Sequence, residues 1–297
     1  MNNETFLQDT IEKLKNGEPI RRHSCGNLYA DDQAVYSYGR HFPLIERARN
    51  GWILNGDRYS NTTTGHQRMT RGALEIIDPN APKAVLPYSA LAEMAKAKPS
   101  ASAITDTRKI TILDTKDDAF RDIEYTDPKT GERKTRTEHL LGGALIRVGR
   151  AYFISSTDPS AHWGRGYFLT QLRRPATTFD EALESMKPKG SNGDSKRQGE
   201  WYFTPLTDDE RRALRAHFGT WKKADAAALR NAHLPRLRYQ RNPHHFARRL
   251  LTIGRTIYVK GTIRHSDGGH RMLRVGQQWH KATPSNQGIS VSVGIVD

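Results

Sequence analysis

Cysteine is nearly absent. Cys25 is the only one in 297 residues, so no disulfide can form within the chain and no cysteine-rich zinc module can be built. A lone thiol fits a reducing compartment. Cys25 stands in a Cys25-Gly26-Asn27 turn and reads as a small turn residue rather than a nucleophile. Long apolar runs are missing too. Nowhere do about 18 apolar residues follow one another, so neither a transmembrane helix nor a membrane partner is expected. Glu4, Asp9 and Glu12 interrupt the apolar residues of the N-terminus, which therefore does not read as a secretory signal. A cytoplasmic setting is the expectation. Several reaction motifs are also lacking. There is no Walker loop and no Gly-x-Gly-x-x-Gly fingerprint, so no cofactor is expected. A Gly-x-Ser-x-Gly nucleophile elbow is absent as well.

Positive charge is what the chain has in excess. The formal net charge is +15. Residues 208–281 carry 17 Lys and Arg against five Asp and Glu, so +12 of it lies in that one segment. The same segment holds seven of the twelve histidines. Solubility alone does not require one sign of charge to cluster. A clustered basic segment is the electrostatic footprint of a partner that is a polyanion, DNA or RNA.

The local patterns predict an α+β fold, predominantly antiparallel β hairpins with a few short helices. Phe6, Ile11 and Leu14 define an N-terminal amphipathic helix stopped by Gly17. Trp52-Ile53-Leu54 followed by Asn55-Gly56-Asp57 reads as a hairpin, with Arg58-Tyr59-Ser60 and the run Thr62-Thr63-Thr64 returning as strand. Ser89 is the expected cap of a helix to Lys96, and Thr178 with Glu181 caps a helix from Phe179 to Met186. Thr207 with Glu210 opens another helix at Asp208, and further helices are expected over 224–232 and 244–251. Strands are expected around Lys109–Leu113, Ala144–Val148, Ala151–Ser155, Tyr167–Leu172, Arg255–Lys260 and Arg271–Val275. The Lys-, Gly- and Ser-rich stretch 187–199 divides a β-rich region, 1–190, from a basic helical-plus-β region, 200–297, unless the two form one compact unit. Residues 148–154 and 253–259 align without gaps, as either two related β modules or two Gly-Arg turns before apolar strands.

Within the basic segment, cations interleave with aromatic rings at Trp221-Lys222-Lys223, Arg238-Tyr239-Gln240-Arg241 and Gln278-Trp279-His280-Lys281. Exposed rings stack bases and nearby cations hold phosphates. The expected nucleic-acid contacts are Arg211, Arg212, Arg215, Lys222, Lys223, Arg238, Tyr239, Arg241, Arg264, Arg271 and Arg274. His265, Asp267 and His270 flank a tight turn and supply an alternative, a metal-dependent nuclease. Arg264 and Arg271 would repel a dication there, so no metal and no catalytic residue are expected. Asn242-Pro243-His244-His245 is a poor match to His-Asn-His nucleases, lacking their strand-loop-helix ligand pattern. A second polar group, His41, Tyr59, His66 and Gln67, leaves open a pairing of Ser60 with His66 and Asp57, or simple hydroxyl ladders in a sheet.

The strings Tyr36 to Leu44, Gly56 to Gln67, Arg197 to Phe203 and Lys260 to His265 resemble uncharacterised proteins encoded by tailed phages and related mobile elements. They cover 34 of the 297 residues. The resemblance implies a phage or mobile-element role, in the host cytoplasm or the virion, and brings no catalytic residue with it. The expected function is a non-enzymatic nucleic-acid-binding protein that works mainly through phosphates. A structural or host-interaction protein docking an acidic protein partner is the other alternative.

Overall fold

A computed structural model describes residues 2–21, 23–57, 59–116, 119–126, 130–140, 143–157, 167–237, 245–266, 271–288 and 290–293. The fold is α+β with mostly antiparallel sheets, as the short runs and turn signals implied. No helix among the described residues is long and apolar enough to cross a membrane. The chain divides into two compact units. One holds Met1–Thr157, Tyr167–Ala182 and Val291–Asp297; the other holds Leu183–Ser290.

The first unit opens with α1 (Asn3–Asn16). Asn2 caps it, and Gly17 ends it at φ 69, a left-handed conformation that glycine adopts without a Cβ clash. A six-stranded sheet follows in sequential order: β1 (His23–Cys25), β2 (Leu28–Ala30), β3 (Ala34–Ser37), β4 (Pro43–Arg47), β5 (Trp52–Asn55) and β6 (Lys83–Leu86). Strands β5 and β6 are parallel, joined by helix α2 (Asn61–Ile77). The expected hairpin at Asn55-Gly56-Asp57 is therefore corrected to a strand-helix-strand crossover. Ser60 caps α2 by accepting the Thr63 N–H, and Thr64 Oγ1 donates to the Ser60 carbonyl at 2.9 Å. Thr63, His66, Thr70, Ala73 and Leu74 are buried at helical spacing. That buried face outweighs the strand propensity of the threonine run. Replacing Ser60 by Ala should lower stability by about 1 kcal/mol, the usual worth of such a cap, measured by urea denaturation.

Helix α3 (Tyr88–Ala97) follows β6, with Pro87 rather than Ser89 in the capping position. Ser89 instead donates its N–H and its hydroxyl to the Asp57 carboxylate, at 2.8 and 2.6 Å. A second sheet contains β7 (Ile110–Lys116), and β8 (Ala119–Thr126) pairs with β9 (Arg133–Leu140) as a separate ribbon. Strands β10 (Gly143–Val148), β11 (Ala151–Thr157) and β12 (Tyr167–Gln171) complete the run β12-β11-β10-β7. Helix α4 (Phe179–Ser185) begins as expected, with Thr178 accepting the Glu181 N–H.

The second unit is built on one antiparallel sheet. Its strands are β13 (Lys196–Gln198), β14 (Trp201–Pro205), β15 (Leu229–His233), β16 (His245–Ile253), β17 (Thr256–His265) and β18 (Leu273–Pro284), in the order β13-β14-β18-β17-β16-β15. The last described strand, β19 (Ser290–Val293), belongs to the sheet of the first unit, where it pairs with β12. Helices α5 (Asp208–Phe218) and α6 (Trp221–Ala227) connect β14 to β15.

Two expected helices are corrected here. The 224–232 helix stops at Ala227 and becomes β15, and the described part of the 244–251 helix is strand β16. The pairing of β16 with β17 shifts register between Ala247 and Arg249. The extra residue lies on β17, where Ile263 to Lys260 spans three positions against two on β16; on β16, Ala247 and Leu250 reach the same core three positions apart. Three-residue spacing is also the helical signature, and the sequence pattern could not separate the two. The internal echo is a pair of matching hairpins. Val148 pairs with Ala151 and Ile253 with Thr256, and each turn places a glycine at positive φ, Gly149 at 59 and Gly254 at 57. Glycine first in a two-residue loop is what the strand twist favours.

Candidate nucleic-acid interface

Helix α5 is fixed at its start by a reciprocal box: Thr207 accepts the Glu210 N–H, and Glu210 accepts the Thr207 N–H. Thr220 caps α6 by a single bond, accepting the Lys223 N–H. Leu206, Leu214, Ala224, Ala228, Leu251 and Trp279 then bury one another, holding both helices on one face of the sheet. Val275 and Ala282, also on β18, belong to the core on the opposite face. Val275 and Trp279 are four residues apart and would share a face in a regular strand. The strand is not regular. Gly261 of β17 lies opposite Gly276 of β18, both at positive φ, 95 and 113, and the register shifts on either side of Gly261. This bulge turns Trp279 toward the helices.

The result is a cleft of about 350 Å3 lined by Arg211, Trp221, Lys260, Gln277, Gln278 and Trp279. Arg211 reaches from α5 to donate to Gln278 Oε1 at 2.7 Å. Lys260 Nζ sits 2.9 Å from both carboxylate oxygens of Asp225 and 5.8 Å from the centre of the Trp279 ring. Trp221 is 36% exposed, whereas Trp279 is 4% exposed. The Trp279 indole N–H and the Arg211 Nε–H are buried with no protein acceptor. A buried donor left unmade costs about 1–3 kcal/mol, and both donors belong to residues that line the cleft.

The other expected contacts are placed unevenly. Lys222 and Lys223 follow Trp221 on α6; with Arg215 on α5 they are exposed and make no ion pair among the described residues. Arg212 pairs with Asp209. Arg264 and Arg274 are exposed beyond the bulge, where Thr262 pairs with Arg274. Arg274 is five residues from Trp279 along β18, about 17 Å at the usual rise per residue. Arg271 is half-buried, and its carbonyl accepts from Gln198. Arg238, Tyr239, Arg241, Asp267 and His270 lie outside the described residues. Lys260 and Gln277 were missed by the sequence reading. The available signal was glycine inside two strand-like runs, which marks a bulge.

The chain resists assignment by likeness. No protein-family model, curated protein or solved structure matches it.

His265 is held on β17 opposite His245, with the rings edge-to-face at 4.8 Å. Among the described residues, no three His, Cys, Asp or Glu side chains converge as a metal site. In the first unit, the grouping of Ser60 with His66 and Asp57 is not assembled. Ser60 bonds Thr63, Asp57 bonds Ser89, and His66 Nδ1 lies 2.7 Å from the buried Ser37 hydroxyl. Gln67 Nε2 donates to the carbonyls of Asn55 and Asp57, at 2.8 Å each. These strings therefore hold the crossover together.

Burial lowers the pKa of both His66 and His280. For His280 the carbonyl of Gln278, 3.0 Å away, works against that shift, and the charges of Lys196 and Arg211 add to it. A group whose folded pKa is depressed stabilises the fold above its unfolded value, about 6.5, and that stability is lost as pH falls through the folded value. Burial pushes the Glu46 and Asp57 carboxyls up, which acts in the opposite sense at lower pH. Comparing wild type with a His66→Gln/His280→Gln double variant isolates the imidazoles. The stability difference between the two should change between pH 7.5 and 5.5, with wild type losing more; a difference independent of pH would contradict it.

Proposed function

We propose that this protein binds nucleic acid without acting as an enzyme, through the basic face of the unit Leu183–Ser290. One observation carries this reading: Arg211, Lys260, Trp221 and Trp279 meet in a single cleft, inside the segment that holds +12 of the +15 net charge. Lys222 and Lys223 extend the cationic surface next to Trp221. Phosphate contacts supply most of the affinity and little sequence preference. A role on phage or mobile-element nucleic acid, in the host cytoplasm or the virion, is part of the same proposal. The test is titration of fluorescent single- and double-stranded oligonucleotides at low salt. Binding tighter than about 100 µM, the weak end of ordinary non-specific association, is expected for at least one form. If neither form binds, the basic face serves an acidic protein instead.

A further inference from the structure

We infer that the cleft between α5, α6 and β18 holds one unpaired nucleobase, so that the preferred ligand is single-stranded nucleic acid. This rests on the nucleic-acid reading above and names its substrate class. A cleft of about 350 Å3 is at the small end of ligand pockets. It admits a base with its sugar and excludes a duplex. In a duplex the base faces are stacked and the pairing edges are occupied, so none of the groups lining this cleft could reach them without unpairing.

The lining matches a base in kind. Trp221 is the exposed ring at the rim, and a base can stack on it. The buried Trp279 indole N–H and Arg211 Nε–H have no protein acceptor. Gln278 already gives its carbonyl oxygen to Arg211, which leaves its amide N–H groups as donors. The Gln278 amide is the donor open to the cleft, and the two buried N–H groups meet a ligand once their side chains turn toward it, so the lining favours the carbonyl oxygens of an oxo base such as thymine or uracil. Adenine, whose acceptors are ring nitrogens only, fits less well. Lys222 and Lys223, next in sequence to Trp221, are positioned for the phosphates that flank the seated base.

The experiment compares a thymidine 20-mer, an adenosine 20-mer, a duplex of equal length, an abasic strand and thymidine monophosphate, all at one salt concentration. The readouts are anisotropy and tryptophan fluorescence. The thymidine strand should bind about tenfold more tightly than the duplex or the abasic strand, more tightly than the adenosine strand, and quench fluorescence. Stacking on a single ring is worth on the order of tenfold, so Trp221→Ala should lose about tenfold on the thymidine strand. That penalty should shrink when the strand is abasic. Trp221 is exposed, so the variant should melt with wild type, which a thermal scan checks. Equal, salt-sensitive binding of strand, duplex and abasic strand, indifferent to Trp221→Ala, would overturn the inference and leave the nucleic-acid reading standing. Monophosphate binding as tight as the 20-mer would overturn the strand as ligand. Binding of none of these would remove both readings.

Discussion

Raising salt from 50 to 200 mM should weaken nucleic-acid binding on the order of a thousandfold, if about six phosphates are neutralised, because each contact releases a condensed counterion. Arg215, Lys222, Lys223, Arg264 and Arg274 are exposed and make no ion pair among the described residues. Arg212 is paired to Asp209, Lys260 to Asp225 and Lys281 to Glu210. Exposed pairs of this kind are weak, so a phosphate can compete for Arg212, while Lys260, less exposed than its neighbours, stays with Asp225. A Lys222→Ala/Lys223→Ala variant should weaken binding to all sequences alike and flatten the plot of log affinity against log salt by about two units. The same is expected of Arg238→Ala/Arg241→Ala, two contacts read from the sequence alone. An unchanged slope in both variants would move the phosphate path elsewhere.

The largest expected effect on stability comes from the smallest side chain. Gly51→Ala should destabilise the first unit by about 3 kcal/mol, the upper end of overpacking costs. A Cβ at Gly51 would stand 2.2 Å from the Pro82 carbonyl oxygen and 3.0 Å from its carbon. That oxygen is the acceptor for the Trp52 N–H, where parallel pairing of β5 with β6 begins. Backbone cannot rotate aside as a side chain can, so strand pairing would have to give way. Gly72→Ala is the contrast. Gly72 lies within α2, and nothing is within 4 Å of its Cβ position. Alanine there should stabilise by about 1 kcal/mol through helix propensity. Urea denaturation of both variants tests the pair, and a Gly51→Ala protein as stable as wild type would show that the tight approach is not maintained in solution.

The parts of the fold that were legible in the sequence are those governed by neighbours in the chain. The α1 helix with its Gly17 stop, the Thr207 box and the two Gly-Arg hairpins depend on residues within a few positions of one another. Crossovers and bulges depend on more distant partners. Asn55-Gly56-Asp57 carries a hairpin signal, yet the chain continues into α2 because β6, nearly thirty residues on, supplies the neighbour for β5. In β16, Ala247 and Leu250 meet one core at a spacing of three, which a helix shares, while the partner β17 carries the extra residue of the register shift. The site shows the same division. Arg211 and Trp221 could be picked out from a basic segment with interleaved aromatics. Lys260 and Gln277 could not, because they reach the cleft only through the paired glycines Gly261 and Gly276.

Photocrosslinking tests most directly whether the nucleic-acid surface lies on the basic unit. A 4-thiothymidine-substituted strand, bound to the full chain at low salt and irradiated, should attach to peptides from α5 and α6, residues 208–227, and from β17 and β18 on either side of the Gly261–Gly276 bulge. Adducts at Trp221 or Trp279 would identify the cleft itself. Crosslinks confined to residues 1–157, with none between 208 and 281, would contradict the assignment of the interface to this unit.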